Sequence, residues 1–331
     1  MNLITLSEKE IITTLLALVL LLLSAYCMGF LMEFMKAPRV VGEIMGGILL
    51  GSTFLYRFFP DWIGRIFMGF EQEGKVLNIF YQLGLIFLMF LSGYNTKLEI
   101  DRRNTRIIAC VFVGATILPM LGAIPFIGLF QGAFMGNAGS GTAFGLVFSI
   151  GVAITSIPVI SKIFFDMGIM NTRFSNMVLT VSAFKDVCLW ILLNAATRIV
   201  TVGEVRLPDM LVVVGVTVGL FGIAKWISGH IHTKEHKIDG IMFYTLSFAL
   251  LLFTCACLYG VGINIMYAAF LVGYLVKAFI GDNTGSDAKK WMEALAQFSF
   301  SFFVPIYFAL VGIQLDLIHN FSIVRFLLFF F

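Results

Sequence analysis

Apolar runs of about twenty residues recur along almost the whole chain, and they limit the possible folds more than any other feature. The complete runs lie at 11–32, 40–59, 76–94, 107–130, 142–165, 175–196, 209–228, 240–260, 262–280 and 297–318. A helix of about 20 residues crosses a bilayer. Because lipid offers the backbone no hydrogen-bond partner, only helices and closed barrels can span it. Barrel strands have about ten residues of alternating hydropathy, so these runs predict an all-α polytopic membrane protein.

The composition excludes most other classes of protein. Of the 331 residues, 60% are hydrophobic and 12% are charged, whereas soluble domains carry about 25% charged residues. The net charge of +3 gives no reason to expect a nucleic-acid partner. The sequence contains no phosphate-binding loop of an ATP-driven pump. We therefore predict a single transmembrane transporter domain over 1–331, in contact with the lipid bilayer and without a cofactor or structural metal.

The basic residues predict how the chain lies in the membrane. Fourteen of the 22 lysines and arginines fall in loops after odd-numbered spans, and six fall in loops after even-numbered spans. Because basic loops stay on the cytoplasmic side, the N-terminus is predicted to face outward. Residues 323–331 resemble the start of an eleventh span. The sequence therefore predicts about ten complete helices plus a partial eleventh, as in a chain truncated at its C-terminus.

Lys185 and Asp186 are adjacent ionisable residues in the middle of the run at 175–196. An ionisable side chain at bilayer depth is costly and often functional. Neighbours in a helix point about 100° apart, so these two side chains do not form an ideal pair with each other. At least one of them is expected to face a polar cavity or another helix. The alternative is a buried charge pair that only fixes helix packing.

The run at 142–165 contains residues that interrupt helices. Thr155, Ser156 and Pro158 lie near its middle. Proline removes a backbone donor and clashes with the carbonyl four residues earlier. Interrupted spans in transporters direct backbone carbonyls at ions near the midplane. The sequence therefore makes Thr155 and Ser156 candidate ligands for a cation, although an ordinary proline kink would give the same pattern.

Glu43 is a secondary candidate in a glycine-rich span. Residues 38–51 read PRVVGEIMGGILLG, with small residues four apart that allow close helix contact. Glu43 lies about one turn inside this span. A carboxylate at that depth can reach the membrane interface, so a capping role is the main alternative to an ionic one.

Three segments together resemble the monovalent cation:proton antiporter-2 superfamily, the bacterial sodium/hydrogen and potassium/hydrogen exchangers. They are residues 38–51, residues 153–168 (AITSIPVISKIFFDMG) and residues 182–186 (SAFKD). The resemblance implies a sodium/proton antiporter-like helical bundle with a discontinuous helix. It also implies secondary-active exchange of Na⁺ or K⁺ for H⁺ in the inner (cytoplasmic) membrane, and a homodimer. In this comparison Asp186 corresponds to the ion-binding acid of the family.

The sequence departs from the family pattern in two respects. Lys185 stands where the family usually has Asp or Asn, and the second inverted repeat is incomplete in this chain. These departures leave a second interpretation open, namely a transport-inactive antiporter-like membrane protein with a structural or regulatory role. An enzyme is not predicted, because no serine–histidine or metal set is visible within a span.

Overall fold

The computed structural model describes residues 5–70, 72–95, 105–135, 139–155, 160, 169, 172–203, 214–216, 218–220, 222–223, 226, 240–260, 263–280, 286–315 and 317. Every regular element in these ranges is helical. In chain order they are α1 (Glu8–Phe34), α2 (Arg39–Leu50), α3 (Leu55–Phe58), α4 (Pro60–Phe67), α5 (Glu73–Asn95), α6 (Thr105–Phe112), a π turn (Val113–Ile117), α7 (Leu118–Phe134), α8 (Gly141–Ala153), α9 (Arg173–Val202), α10 (Gly240–Gly260), α11 (Ile265–Ile280), α12 (Ser286–Ser301) and α13 (Phe303–Ile313).

Most of the longer apolar runs form the helices that the sequence predicts. Five helical stretches in the described ranges are long and apolar enough to cross a membrane, namely Glu8–Phe34, Glu73–Asn95, Thr105–Gly132, Arg173–Val202 and Lys290–Ile313. Shorter apolar helices occur at Gly141–Ala153, Tyr244–Gly260 and Ile265–Phe279. Large apolar side chains also remain exposed on α1 and α7, as on a lipid-facing surface. The chain is thus an all-α, multi-pass membrane protein.

Besides the run at 142–165, where α8 ends at Ala153, two predicted spans are not single helices in the described ranges. In the run at 40–59, α2 ends at Leu50, and a short turn separates it from α3. In the run at 297–318, the helix begins earlier, at Ser286, and is broken at Phe302 before α13. The run at 209–228 lies mostly outside the described residues, so the count of ten spans stays a prediction.

The chain divides into two compact units, residues 1–88 with 290–331, and residues 89–289. In the first unit, α2 packs against both α1 and α13. Glycines make these contacts unusually close. A Cβ on Gly47 would overlap the Ala309 carbonyl oxygen of α13, and a Cβ on Gly46 would lie 2.6 Å from the Ser24 carbonyl oxygen of α1. The spacing of small residues in the sequence therefore brings backbones together, as predicted.

In the second unit, α8 packs against α7 and α9, α9 packs against α6, and α10 packs against α11. The last turns of α5 contact α11 through two glycines. A Cβ on Gly93 would overlap the Phe270 carbonyl oxygen, and a Cβ on Gly273 would overlap the Phe90 carbonyl oxygen. Each glycine thus accommodates the backbone of the other helix.

This reciprocal contact predicts a non-additive pair of substitutions. Gly93→Ala and Gly273→Ala should each destabilise the folded protein by about 1–3 kcal/mol, because a methyl group must push the two backbones apart. Once the first methyl group has separated the helices, the second should cost much less. Thermal unfolding of the two single variants and the double variant in detergent measures this coupling. Fully additive losses would contradict the reciprocal contact.

Candidate functional site

The candidate site is built on α9, whose two faces pack against different neighbours. Leu189 of α9 lies in one apolar cluster with Ile150 and Ala153 of α8. Val187 and Trp190 pack instead against a cluster formed by residue 263, just before α11, and residues 267 and 271 in its first half. Because a helix turns about 100° per residue, these contacts place α8 and α11 on different sides of α9.

Asp186 lies between these two faces. Helical periodicity places it between Leu189, which faces α8, and Val187, which faces α11. The residue is partly buried. Within the described part of the chain, its carboxylate makes no hydrogen bond and no ion pair. A partly buried carboxylate that makes no hydrogen bond at bilayer depth is available to a proton or a cation.

Lys185 makes its hydrogen bond with a neighbouring helix and forms no ion pair within 4 Å of the Asp186 carboxylate. The lysine is only 4% exposed, and its ammonium Nζ donates a hydrogen bond of 2.9 Å to the backbone carbonyl of Ala115. Ala115 belongs to the π turn between α6 and α7. The positive charge thus lies at a carbonyl of a neighbouring helix, and it also interacts electrostatically with the adjacent Asp186 carboxylate. The structural-pair interpretation is not tested by this arrangement.

The interrupted helix ends close to this part of α9. Helix α8 stops at Ala153, and Ile154 adopts an extended conformation with ψ of 142°. Ala153 packs in the same cluster as Leu189, which lies three residues after Asp186. Thr155 follows directly and is exposed. Ser156 and Pro158 lie outside the described residues, so the structure places only the first of the two predicted ligands.

Glu43 lies in the first compact unit and has a partner of its own. Its Oε1 is 3.4 Å from Nε of Arg39, one helical turn earlier, and the two side chains are 6% and 39% exposed. The Arg39 guanidinium also lies over the Tyr26 ring, 5.3 Å from its centroid. Glu43 is therefore part of an ion pair at the start of α2, and the sequence prediction did not identify Arg39 as its partner.

Removal of Arg39 should destabilise the protein more than removal of both partners. Arg39→Gln leaves the buried Glu43 carboxylate without a counter-charge, at a cost of about 1–3 kcal/mol. The double variant Arg39→Gln with Glu43→Gln avoids that cost and should recover much of the loss. Thermal unfolding tests this, with exposed Arg57→Gln as the control. If the double variant is no more stable than Arg39→Gln alone, Arg39 does not stabilise the protein by compensating the charge of Glu43.

A cavity with several polar side chains in its lining lies along the second half of α9. It has a volume of about 520 Å³ and is bounded by α9 and by the junction of α10 and α11. The lining includes Asn194, Thr197 and Thr201 of α9 and Asn264 of the junction. Asn194 follows Asp186 by eight residues, which is about 12 Å along a helix axis. The cavity therefore places polar groups and open space on the same helix as the candidate carboxylate.

The helices and the buried charges define a multi-pass membrane protein with ionisable groups inside a span. The family model described as "Sodium/hydrogen exchanger, transmembrane" matches residues 16–331. The chain therefore belongs to the sodium/hydrogen exchanger family, within the monovalent cation:proton antiporters. This membership confirms the resemblance found in the three sequence segments.

Several curated relatives are similar over most of this chain. The Na(+)/H(+)-K(+) antiporter GerN of Bacillus cereus is 27% identical over 89% of this chain and 70% of its own length. The Na(+)/H(+) antiporter NhaS4 of Synechocystis is 24% identical over 88% and 71%, respectively. Cation/H(+) antiporter 18 of Arabidopsis thaliana is 25% identical over 90% of this chain. The chain spans only 36% of the length of that plant protein.

Proposed function

We propose that this protein exchanges a monovalent cation, Na⁺ or K⁺, for H⁺, with Asp186 as the carboxylate that carries either ion. The observation that supports this most directly is the carboxylate itself, which is partly buried in a span and makes no hydrogen bond and no ion pair within 4 Å among the described residues. Membership of the exchanger family supports the same reaction. The relatives are named as Na⁺/H⁺, K⁺/H⁺ and cation/H⁺ antiporters.

Exchange follows because the proton and the cation compete for the Asp186 carboxylate. A protonated carboxyl has no charge with which to attract a cation, and a bound cation favours the ionised form. One carboxylate therefore holds either ion but not both, and each cation that binds releases a proton. Because Lys185 stands where a second acid would be, we propose a stoichiometry of one cation for one proton. Thr155 and Ser156 would supply oxygen ligands, which suit hard cations.

The cavity beside α9 is the proposed route by which ions reach Asp186. Ions need a hydrated path, because a charge in hydrocarbon costs several kcal/mol. Asn194 and Thr197 line the cavity on the same helix as Asp186. If the N-terminus faces outward in the inner membrane, this cavity opens toward the outer side. A homodimer is a further expectation that these observations leave open.

Proton release upon cation addition tests the proposed function. The protein is expressed in cells that lack their own exchangers, and inside-out vesicles are energised to make their interior acidic. Addition of NaCl or KCl should then collapse the pH gradient, as reported by dequenching of acridine orange. Vesicles without the protein provide the background. Folded protein that gives no dequenching with Na⁺, K⁺, Li⁺ or Rb⁺ would contradict exchange and favour the transport-inactive alternative.

A further inference from the structure

The backbone carbonyl of Ala115 lacks the donor that an α-helix normally gives it. Each helical carbonyl accepts from the amide four residues later. Four residues after Ala115 stands Pro119, which has no amide hydrogen. The neighbouring Leu118 amide is engaged elsewhere, because it donates to the Val113 carbonyl in the π turn. Lipid offers such a carbonyl no partner, so another part of the protein has to donate to it.

Lys185 of α9 is the donor in this structure. Its Nζ lies 2.9 Å from the Ala115 carbonyl oxygen, and the side chain is 4% exposed. Within the described residues, no carboxylate forms an ion pair with this ammonium. Hydrogen bonds from a charged donor are stronger than neutral ones. The ammonium therefore compensates the carbonyl that Pro119 leaves open, and it joins α9 to the turn between α6 and α7.

A second proline of α7 shows that a freed carbonyl does not by itself recruit a side chain. Pro125 lies inside this helix and withholds an amide from the Leu121 carbonyl in the same way. Leu121 is exposed, and no side chain in the described ranges donates to its carbonyl. The bond from Lys185 is therefore specific to the contact between α9 and the π turn.

This bond fixes the rotation of α9 next to Asp186. Helix α9 packs against α6, and Lys185 connects it to the π turn that follows α6. The Asp186 carboxylate makes no hydrogen bond to a described residue that would hold it in place. Because successive residues of a helix point about 100° apart, anchoring Lys185 determines the direction in which Asp186 points.

We propose that Lys185 is a positioning residue for Asp186. Its ammonium supplies the hydrogen bond that Pro119 withholds from the Ala115 carbonyl. This bond holds α9 in the rotation that directs the Asp186 carboxylate toward its ions. The positioning role rests on the exchange function proposed above, whereas the compensation of the carbonyl does not.

A cycle of variants in thermal unfolding tests the bond without reference to exchange. Lys185→Met leaves the Ala115 carbonyl without a donor and should lower the melting temperature in detergent. Pro119→Ala restores an amide that can donate to this carbonyl, so Lys185→Met should then lower the melting temperature by about half as much or less. Pro125→Ala is the matched control, because it restores an amide to Leu121 and should leave the loss unchanged. An equal loss in all three backgrounds would overturn the inference.

The rate of exchange in vesicles tests the positioning role. Lys185→Met combined with Pro119→Ala satisfies the carbonyl but leaves α9 without its anchor. Its maximal rate should therefore stay about tenfold below that of Pro119→Ala alone, although its stability is regained. Lys185→Gln separates the bond from the charge, because Met and Gln are both neutral and only Gln donates a hydrogen bond. This variant should exchange several-fold faster than Lys185→Met.

The outcomes distinguish this inference from the function on which it rests. Wild-type exchange in the combined Lys185→Met and Pro119→Ala variant would show that Lys185 only compensates a carbonyl. Equal rates for Lys185→Met and Lys185→Gln would likewise overturn the positioning role. If the wild-type protein exchanges no cation, the proposed function and the positioning role both fail. The melting temperatures then still decide whether Lys185 compensates the Ala115 carbonyl.

Discussion

Asp186→Asn should abolish cation-dependent proton release. Asparagine has nearly the same shape, but it neither ionises nor binds a proton at ordinary pH. A unit charge about 4 Å from a cation contributes roughly 4 kcal/mol at an effective dielectric of 20, which corresponds to about a thousandfold in affinity. Dequenching in vesicles should therefore fall to the background of vesicles without the protein.

A control variant and the pH dependence of the wild type show whether this loss is specific to Asp186. Asp61→Asn removes an exposed carboxylate at the start of α4 and should leave exchange unchanged. In the wild type, the cation concentration for half-maximal exchange should fall as the pH rises, because fewer protons compete for the ionised carboxylate. If Asp186→Asn exchanges at the wild-type rate with the same pH dependence, another group carries the ion.

Gly47→Leu should prevent stable folding of the first compact unit. Even a Cβ at this position would overlap the Ala309 carbonyl oxygen, because α2 and α13 touch backbone to backbone. A leucine must therefore force the two helices apart over most of their contact. Overpacking typically costs about 1–3 kcal/mol and more where the backbone has to move. We expect most of this variant to be lost as aggregate in size-exclusion chromatography. The yield of folded Gly47→Ala should lie between those of Gly47→Leu and the wild type.

A helical glycine without close neighbours provides the matched control. Gly122 lies in α7, and a Cβ on it would meet nothing within 4 Å. Gly122→Leu should therefore yield folded protein at the wild-type level, since Leu also favours the helical conformation over Gly. A folded, monodisperse Gly47→Leu variant would show that α2 and α13 do not make the close contact described here.

The sequence predicted helices well in the long apolar runs that cross the membrane. The runs at 11–32, 76–94 and 175–196 become α1, α5 and α9, because unpaired backbone groups are not tolerated in lipid. The breaks near Gly51 and at Phe302 were not predicted. Hydropathy stays high across Gly51 and Phe302, so it carries no signal for the helix ends there. The polar first half of α12 was also not predicted to be helical, because the spans were recognised by their high hydropathy.

The candidate site was only partly predictable. The depth of Asp186 and Lys185 follows from their position in an apolar run, and the end of α8 agrees with the expected discontinuous helix. The partner of Glu43 could have been found, because Arg39 precedes it by one helical turn. The partner of Lys185 could not. It is a backbone carbonyl 70 residues earlier in the chain. Pro119 has no amide hydrogen to donate to the Ala115 carbonyl, so the sequence marks this carbonyl as free of its helical partner. Which side chain reaches it depends on how the helices pack.

The close contacts of α2 have a consequence for how the first compact unit can move. Gly46 and Gly47 allow α2 to touch α1 and α13 at the backbone. Sliding or rotation of one helix against another would bring main-chain atoms into collision, and no side-chain rotamer can relieve that clash. These three helices should consequently behave as one stiff block during the exchange cycle proposed above. Any motion that the cycle requires must then arise at the edges of this block, not within it.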